Sequence, residues 1–172
     1  MQAFLRKSLI VSVLALGVAV IGQNASADPG DNLHWKSVIG ILAPGNVVGS
    51  GTAKATGAPG PWSAQGGSVS VDPDKGKVDF SVRGLVLAAG NSIGTPGSVV
   101  QVKGTLVCDT NGSAGGGNSV LVDTPLVDLD EDGDANFHGN VALPPVCTSE
   151  PDVAFLIRTS SGIWIGNGTV LR

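Results

Sequence analysis

Tyrosine is absent from this chain of 172 residues, methionine occurs once, and there are only two cysteines and two histidines. Each shortage narrows the chemistry. Without tyrosine, one common acid or base is gone. His34 and His138 cannot by themselves supply the three protein ligands of a catalytic zinc site, or the four of a structural one. They are far apart in sequence, have no His-x-His spacing, and read as surface residues. The ten Lys and Arg are outnumbered by fourteen Asp and Glu, for a formal charge of −4. Scattered cations in an acidic chain speak against nucleic acid, where affinity comes from neutralising phosphates. The same shortage speaks against an anionic membrane surface. Helix formers such as Glu and Gln are scarce, and no window after the first thirty residues holds a helical period.

Long hydrophobic runs are missing as well, except at the start. MQAFLRKS carries Arg6 and Lys7, LIVSVLALGVAVIG follows, and QNASA places Ala25 and Ala27 before Asp28. A basic start, a short apolar stretch and an A-x-A site predict a secretory signal peptide over residues 1–27, cleaved near Ala27. The apolar run is shorter than the ~20 residues of a spanning helix. Residues 28–172 are then the exported domain, secreted or periplasmic, with no later membrane span and a charge of −6 once Arg6 and Lys7 are removed. Its 145 residues suffice for one domain with a real core. Both Cys108 and Cys147 lie in this part, where disulfides persist. A bridge is the economical reading and two buried free thiols the alternative. Closing a loop of about 40 residues would stabilise by roughly 4 kcal/mol in the chain-entropy account.

What the chain has in quantity is glycine, at 26 residues, and alternation. In KVDFSV, Val78, Phe80 and Val82 share a face. In VVQVKGTLVC, Val100, Val102, Leu106 and Cys108 share one with Gly104, opposite Gln101, Lys103 and Thr105. Phe137, Val141 and Leu143 do so in ANFHGNVAL, with Asn136, His138 and Asn140 outward. Val153, Phe155 and Ile157 do so in DVAFLIR. This is the period of half-buried strands. Asp74-Lys75-Gly76 and TSSG carry hairpin chemistry, GAPGPW breaks the chain before Trp62, and DTNGSAGGGNS reads as a flexible loop. Eight or nine strands, with no repeat and no second domain, predict a single antiparallel β-sandwich.

The succession Pro61-Trp62, DFSVRGLVL, VKGTLVC, GDANFHGNVALPPVC and GIWIGNG resembles a set of small secreted bacterial all-β proteins. The likeness runs from about Val47 to Val170. It implies export and an all-β fold, and no catalytic residues. GTAKATG with VSVDPDKGKVDFSVRGL is similar to part of the chordin-type (CHRD) domains. Those continue into His-x-His, whereas this chain continues VLAAGNSIGTPG without a histidine.

The sharpest motif is DLDEDGDANFHG. Asp128, Asp130, Asp132 and Gly133 fit the opening of a D-x-D-x-D-G calcium loop, with Asp134, Asp123 or Glu131 as further oxygen donors. An EF-hand needs Glu at the twelfth position, which here is Gly139, and needs helical flanks. A looser calcium loop on a β scaffold is one reading, and a solvated acidic turn is the other. GNSIG matches G-x-S-x-G at Ser92, but the elbow needs a strand-to-helix turn, and TPGSVVQVKG follows as a strand. His138 is the only downstream base. GSAGGGNS lacks the G-K-[ST] of a phosphate loop. It reads as a connector that can also serve as a contact surface. Trp35, Trp62 and Trp164 could stack on sugars if exposed, although some are expected in the core. Asn111 and Asn167 begin glycosylation triplets, too common to be informative. The expectation is therefore a non-enzymatic structural or interaction module with an unknown protein or surface partner. Calcium or carbohydrate binding is the alternative, and a Ser92–His138 hydrolase the outlier.

Overall fold

The computed structural model describes residues 32–114, 116–149 and 152–171, so the expected leader over 1–27 lies outside the described residues. The chain runs β1 (Leu33–Gly40), β2 (Val47–Val48), β3 (Ala55–Thr56), β4 (Trp62–Ser63), β5 (Gly66–Asp72), β6 (Lys77–Arg83) and β7 (Val86–Leu87). It continues with β8 (Gln101–Cys108), β9 (Val120–Asp123), β10 (Val127–Asp128), β11 (Ala135–Asn140), α1 (Val146–Ser149), β12 (Ala154–Thr159) and β13 (Trp164–Leu171). Nine strands form one antiparallel sheet in the order β10-β8-β12-β13-β1-β5-β6-β11, with β9 also on β8. Two small sheets, β2-β3 and β4-β7, complete the all-β fold expected from the alternation.

Local chemistry makes the hairpins. Between β5 and β6 the Asp72 carboxylate accepts from the Lys75 N–H at 3.1 Å, and Gly76 takes φ 65°. A Cβ at Gly76 would lie 2.2 Å from the Val141 carbonyl oxygen, so that turn admits only glycine. Between β12 and β13, Gly162 turns the chain and its carbonyl accepts from Arg158 Nε at 2.7 Å. β9 and β10 are two pieces of one edge along β8. β9 pairs with Thr105–Cys108, and β10 with Gln101 and Val102. Pro125, which has no N–H to give the ladder, lies in the gap between them.

The sheet curls until its two halves face each other. β6 and β12 are four places apart, which in a flat sheet would separate them by about 19 Å. Instead Phe80 and Phe155 have ring centroids 5.7 Å apart, with Trp35 at 5.8 Å from Phe155 and Phe137 at 6.0 Å from Phe80. Gly104 of β8 makes room for this. A Cβ there would sit 2.5 Å from Phe155 and 2.9 Å from Phe80. The two layers of the expected sandwich therefore belong to one continuous, curled sheet around an aromatic core.

Two fasteners bring the sheet's ends together. β10 and β11 are its end strands, yet they are consecutive in sequence, joined by residues 129–134, and in contact. After β11 the chain crosses through Pro144-Pro145 to α1, where Cys147 is bonded to Cys108 at the end of β8. The bridge spans 39 positions and settles the cysteine question in favour of the disulfide.

The outer face of the sheet is treated unequally. Over β12 and β13 it is roofed by the segment 41–58. Trp164 Nε1 donates to the Asn46 carbonyl at 3.1 Å, and the Ala58 N–H donates to the Trp164 carbonyl at 3.0 Å. That roof explains where alternation fails. Leu156 is buried beside Phe155 and Ile157 because the roof covers its face, and in β8 Thr105, hydrogen-bonded to Asp123, and Val107 are buried beside Leu106. Val100, expected inside with Val102, is instead 70 % exposed. It precedes β8 at the rim, where its carbonyl accepts the Leu129 N–H.

Candidate functional site

The acidic stretch is a corner built around Asp130. Its Oδ1 accepts the N–H of Asp132 at 3.0 Å and of Asp134 at 2.8 Å, while the Gly133 N–H returns to the Asp130 carbonyl at 3.0 Å. Asp134 Oδ1 in turn accepts the Gly84 N–H at 2.8 Å, and the Leu85 N–H donates to the Gly133 carbonyl. Gly133 lies so close to Leu85 that a Cβ would be 2.5 Å from its carbonyl oxygen. Asp128, on β10, accepts from Gln101 Nε2 at 3.1 Å, and Asp132 is exposed. So Asp130 and Asp134 are directed at backbone amides, and the turn is docked onto the chain leaving β6. Among the described residues no three His, Cys, Asp or Glu side chains converge as a metal cage.

The other sequence motifs scatter. Ser92 lies in a loop folded back on Leu87, where its carbonyl accepts from Thr95. His138 stands on β11 with its Nδ1 against Asp79 Oδ1, and no hydrogen bond joins it to Ser92 among the described residues. Trp35, Trp62 and Trp164 are all buried, at 3 %, 4 % and 5 % exposure, so none offers an aromatic platform. The glycine-rich loop after β8 is tied at both ends. Asp109, at φ 53°, accepts from the Ser113 and Ala114 N–H groups. Asn118 Oδ1 accepts the Thr52 N–H, and Ser119 Oγ accepts the Ser50 N–H while donating to the Asp109 carbonyl. Asn111 is exposed in that loop, and Asn167 is half-buried on β13.

Two constellations emerge that sequence reasoning missed. The first is a row. His34, Ser70, Asp79 and His138 stand directly opposite one another on β1, β5, β6 and β11. One residue along, Trp35, Val69, Phe80 and Phe137 form the matching row on the inner face. Ser68, Ser81 and Asn136 make a second outer row, and Asp72, Lys77 and Asn140 a third. The result is a field of polar side chains on the unroofed half of the sheet. Its charges are internally paired, as Lys77 with Asp79 at 3.4 Å and Lys75 with Asp72 at 2.6 Å. Each strand shows its polar alternation in the sequence, but only the register brings the two histidines into one line.

The second is centred on Asp123. Its carboxylate receives Lys103 Nζ at 2.5 Å, Thr105 Oγ1 at 2.7 Å and Arg158 at 3.1 Å. Partial burial opposes its ionisation, but the hydrogen bonds from Lys103 and Thr105 and the charge of Arg158 outweigh that and hold the carboxyl below its usual range. Two cations on one acid make a brace across β8, β9 and β12.

No family model, no curated protein and no solved structure matches this chain.

Proposed function

We propose that this chain is an exported, non-catalytic interaction module that binds a protein partner through the unroofed face of β1, β5, β6 and β11. The observation that carries the reading is the contrast between the two halves of the sheet. One half is covered by the chain's own 41–58 segment. The other presents three cross-strand rows of Ser, Asn, His, Asp and Lys to solvent over a buried aromatic core. A rigid, pre-formed surface loses little entropy on binding, and mixed, paired charge suits a polar partner surface of mixed sign. Among the described residues no hydrogen bond joins the candidate nucleophile Ser92 to the imidazole of His138, which supports a binding role over hydrolysis. Burial of all three tryptophans leaves the carbohydrate alternative without its aromatic platform.

Calcium binding by Asp128, Asp130, Asp132 and Asp134 is the alternative addition to the same module. The use of Asp130 and Asp134 on backbone amides favours a structural corner. The interaction reading is tested with a photo-crosslinking residue at Ser70, and at Thr56 on the roof, in protein presented to intact cells of the producing organism. A discrete adduct from Ser70 and none from Thr56 is the expected result. Equal adducts from both sites, or none from either, would overturn it.

A further inference from the structure

Between the roof and the sheet lies an open cleft of about 370 Å³. Asn46, Val47 and Val48 of the roof and Ala154 and Asn167 of the sheet line it over the buried Leu156, and polar and apolar atoms share its surface about equally. Its size falls within the range of small-molecule sites. Three features define what would fit. First, no charged side chain lines it, so an ion entering would shed water without a counter-charge. Second, its apolar surface continues outward. Val47 is 53 % exposed, and Ile39, 39 % exposed, stands directly across from Asn167 on β1. Third, the amides have capacity to spare. The Asn46 side chain makes no hydrogen bond among the described residues, and Asn167 donates only from Nδ2, to the Gly168 carbonyl. The backbone that carries Asn46 is held in place, because its carbonyl accepts both the Gly57 N–H at 2.7 Å and Trp164 Nε1 at 3.1 Å.

We propose that this cleft is a binding site for a small uncharged amphiphile, whose apolar body lies along Val47, Val48 and Ala154 while a neutral group that both donates and accepts hydrogen bonds meets Asn46 and Asn167. The site is on the roofed half of the sheet and does not depend on the polar face engaging a partner.

The test uses octyl glucoside below its micelle concentration as probe, and octanoate as a probe of equal chain length carrying a charge. The readouts are the Trp164 indole N–H and the Asn46 and Asn167 side-chain NH₂ signals in nitrogen-15 correlated NMR spectra. Saturable shifts of all three with octyl glucoside, and binding at least tenfold weaker with octanoate, are expected. Ala154→Leu, which fills the cleft, should weaken binding at least tenfold while the Trp35 and Trp62 indole signals stay in place. If that variant does not fold, Val47→Asp at the exposed wall should have the same effect. Shifts that do not saturate, that octanoate reproduces, or that persist in the folded variant would overturn the proposal.

Discussion

Phe80 and Phe155 meet with ring centroids 5.7 Å apart, although their strands stand four places apart in the sheet. The contact exists because Gly104 has no side chain at the point where the two rings converge. A methyl group there would overlap both. Gly104→Ala is therefore expected to cost about 1–3 kcal/mol through overpacking. Thermal unfolding should show a fall of several degrees. Phe155→Leu should be less destabilising on the Gly104→Ala background than on the parent, and an additive double mutant would show that the clash lies elsewhere.

The Cys108–Cys147 bridge fastens the end of β8 to the segment that follows β11. Replacing both cysteines by serine should cost roughly 4 kcal/mol by the loop-closure account. The denaturant midpoint should fall accordingly. Because the bridge closes the seam between the sheet's ends, amide exchange should rise first in α1, β9 and β11, ahead of β1 and β5 in the middle of the sheet. Uniform acceleration would contradict a role specific to the seam.

The acidic corner is held by backbone acceptors at fixed positions. Asp130→Ala removes two hydrogen bonds to amides and should destabilise by about 1–2 kcal/mol. Gly133→Ala meets Leu85 at 2.5 Å in a left-handed conformation of φ 80° and should cost more. If the corner is structural, melting curves in EDTA and in millimolar calcium will superimpose. A shift of several degrees, lost in Asp130→Asn with Asp132→Asn, would instead establish calcium binding, since saturation at ~100 times the dissociation constant adds about 2.7 kcal/mol.

Asp123 gives stability a defined dependence on acid. Its folded carboxyl is held below its ordinary value of 3.8, so its contribution is present above that value and is lost as pH falls through the depressed one. Asp123→Asn should lower stability at pH 7 by roughly 1 kcal/mol, with Lys103 and Arg158 left without their shared acceptor. Because the carboxylate is about one-third solvent-exposed, screening keeps this effect modest. Denaturant midpoints of the parent and Asp123→Asn should converge as pH is lowered below about 4. A constant gap down to pH 2 would remove Asp123 as the cause.

Strand content was legible where one face is wet. Val78, Phe80 and Val82 alternate with half-exposed neighbours in β6 as the sequence implies, and Asp74-Lys75-Gly76 makes the expected hairpin. Legibility fails in β12, where Phe155, Leu156 and Ile157 are all buried. Alternation reports one covered face, and a roof supplied by residues more than a hundred positions away erases it. The candidate sites show the same divide. The acidic turn could be located from composition, but whether the Asp134 carboxylate faces a cation or the backbone of Gly84 depends on a contact fifty positions distant.

By itself, the sequence determined the class of this protein. Period-two patterning, glycine at the tight turns and two cysteines specify antiparallel strands, hairpins and one pair of thiols, because side-chain alternation and positive φ are properties of neighbouring residues. The tertiary structure alone decided that the strands form one curled sheet and that the disulfide and the acidic corner join its ends. It also decided that His34 and His138 share a row and that Asn46 and Asn167 line one cleft. Those facts depend on register and on the order of strands, and both are set by how distant side chains pack rather than by any local pattern.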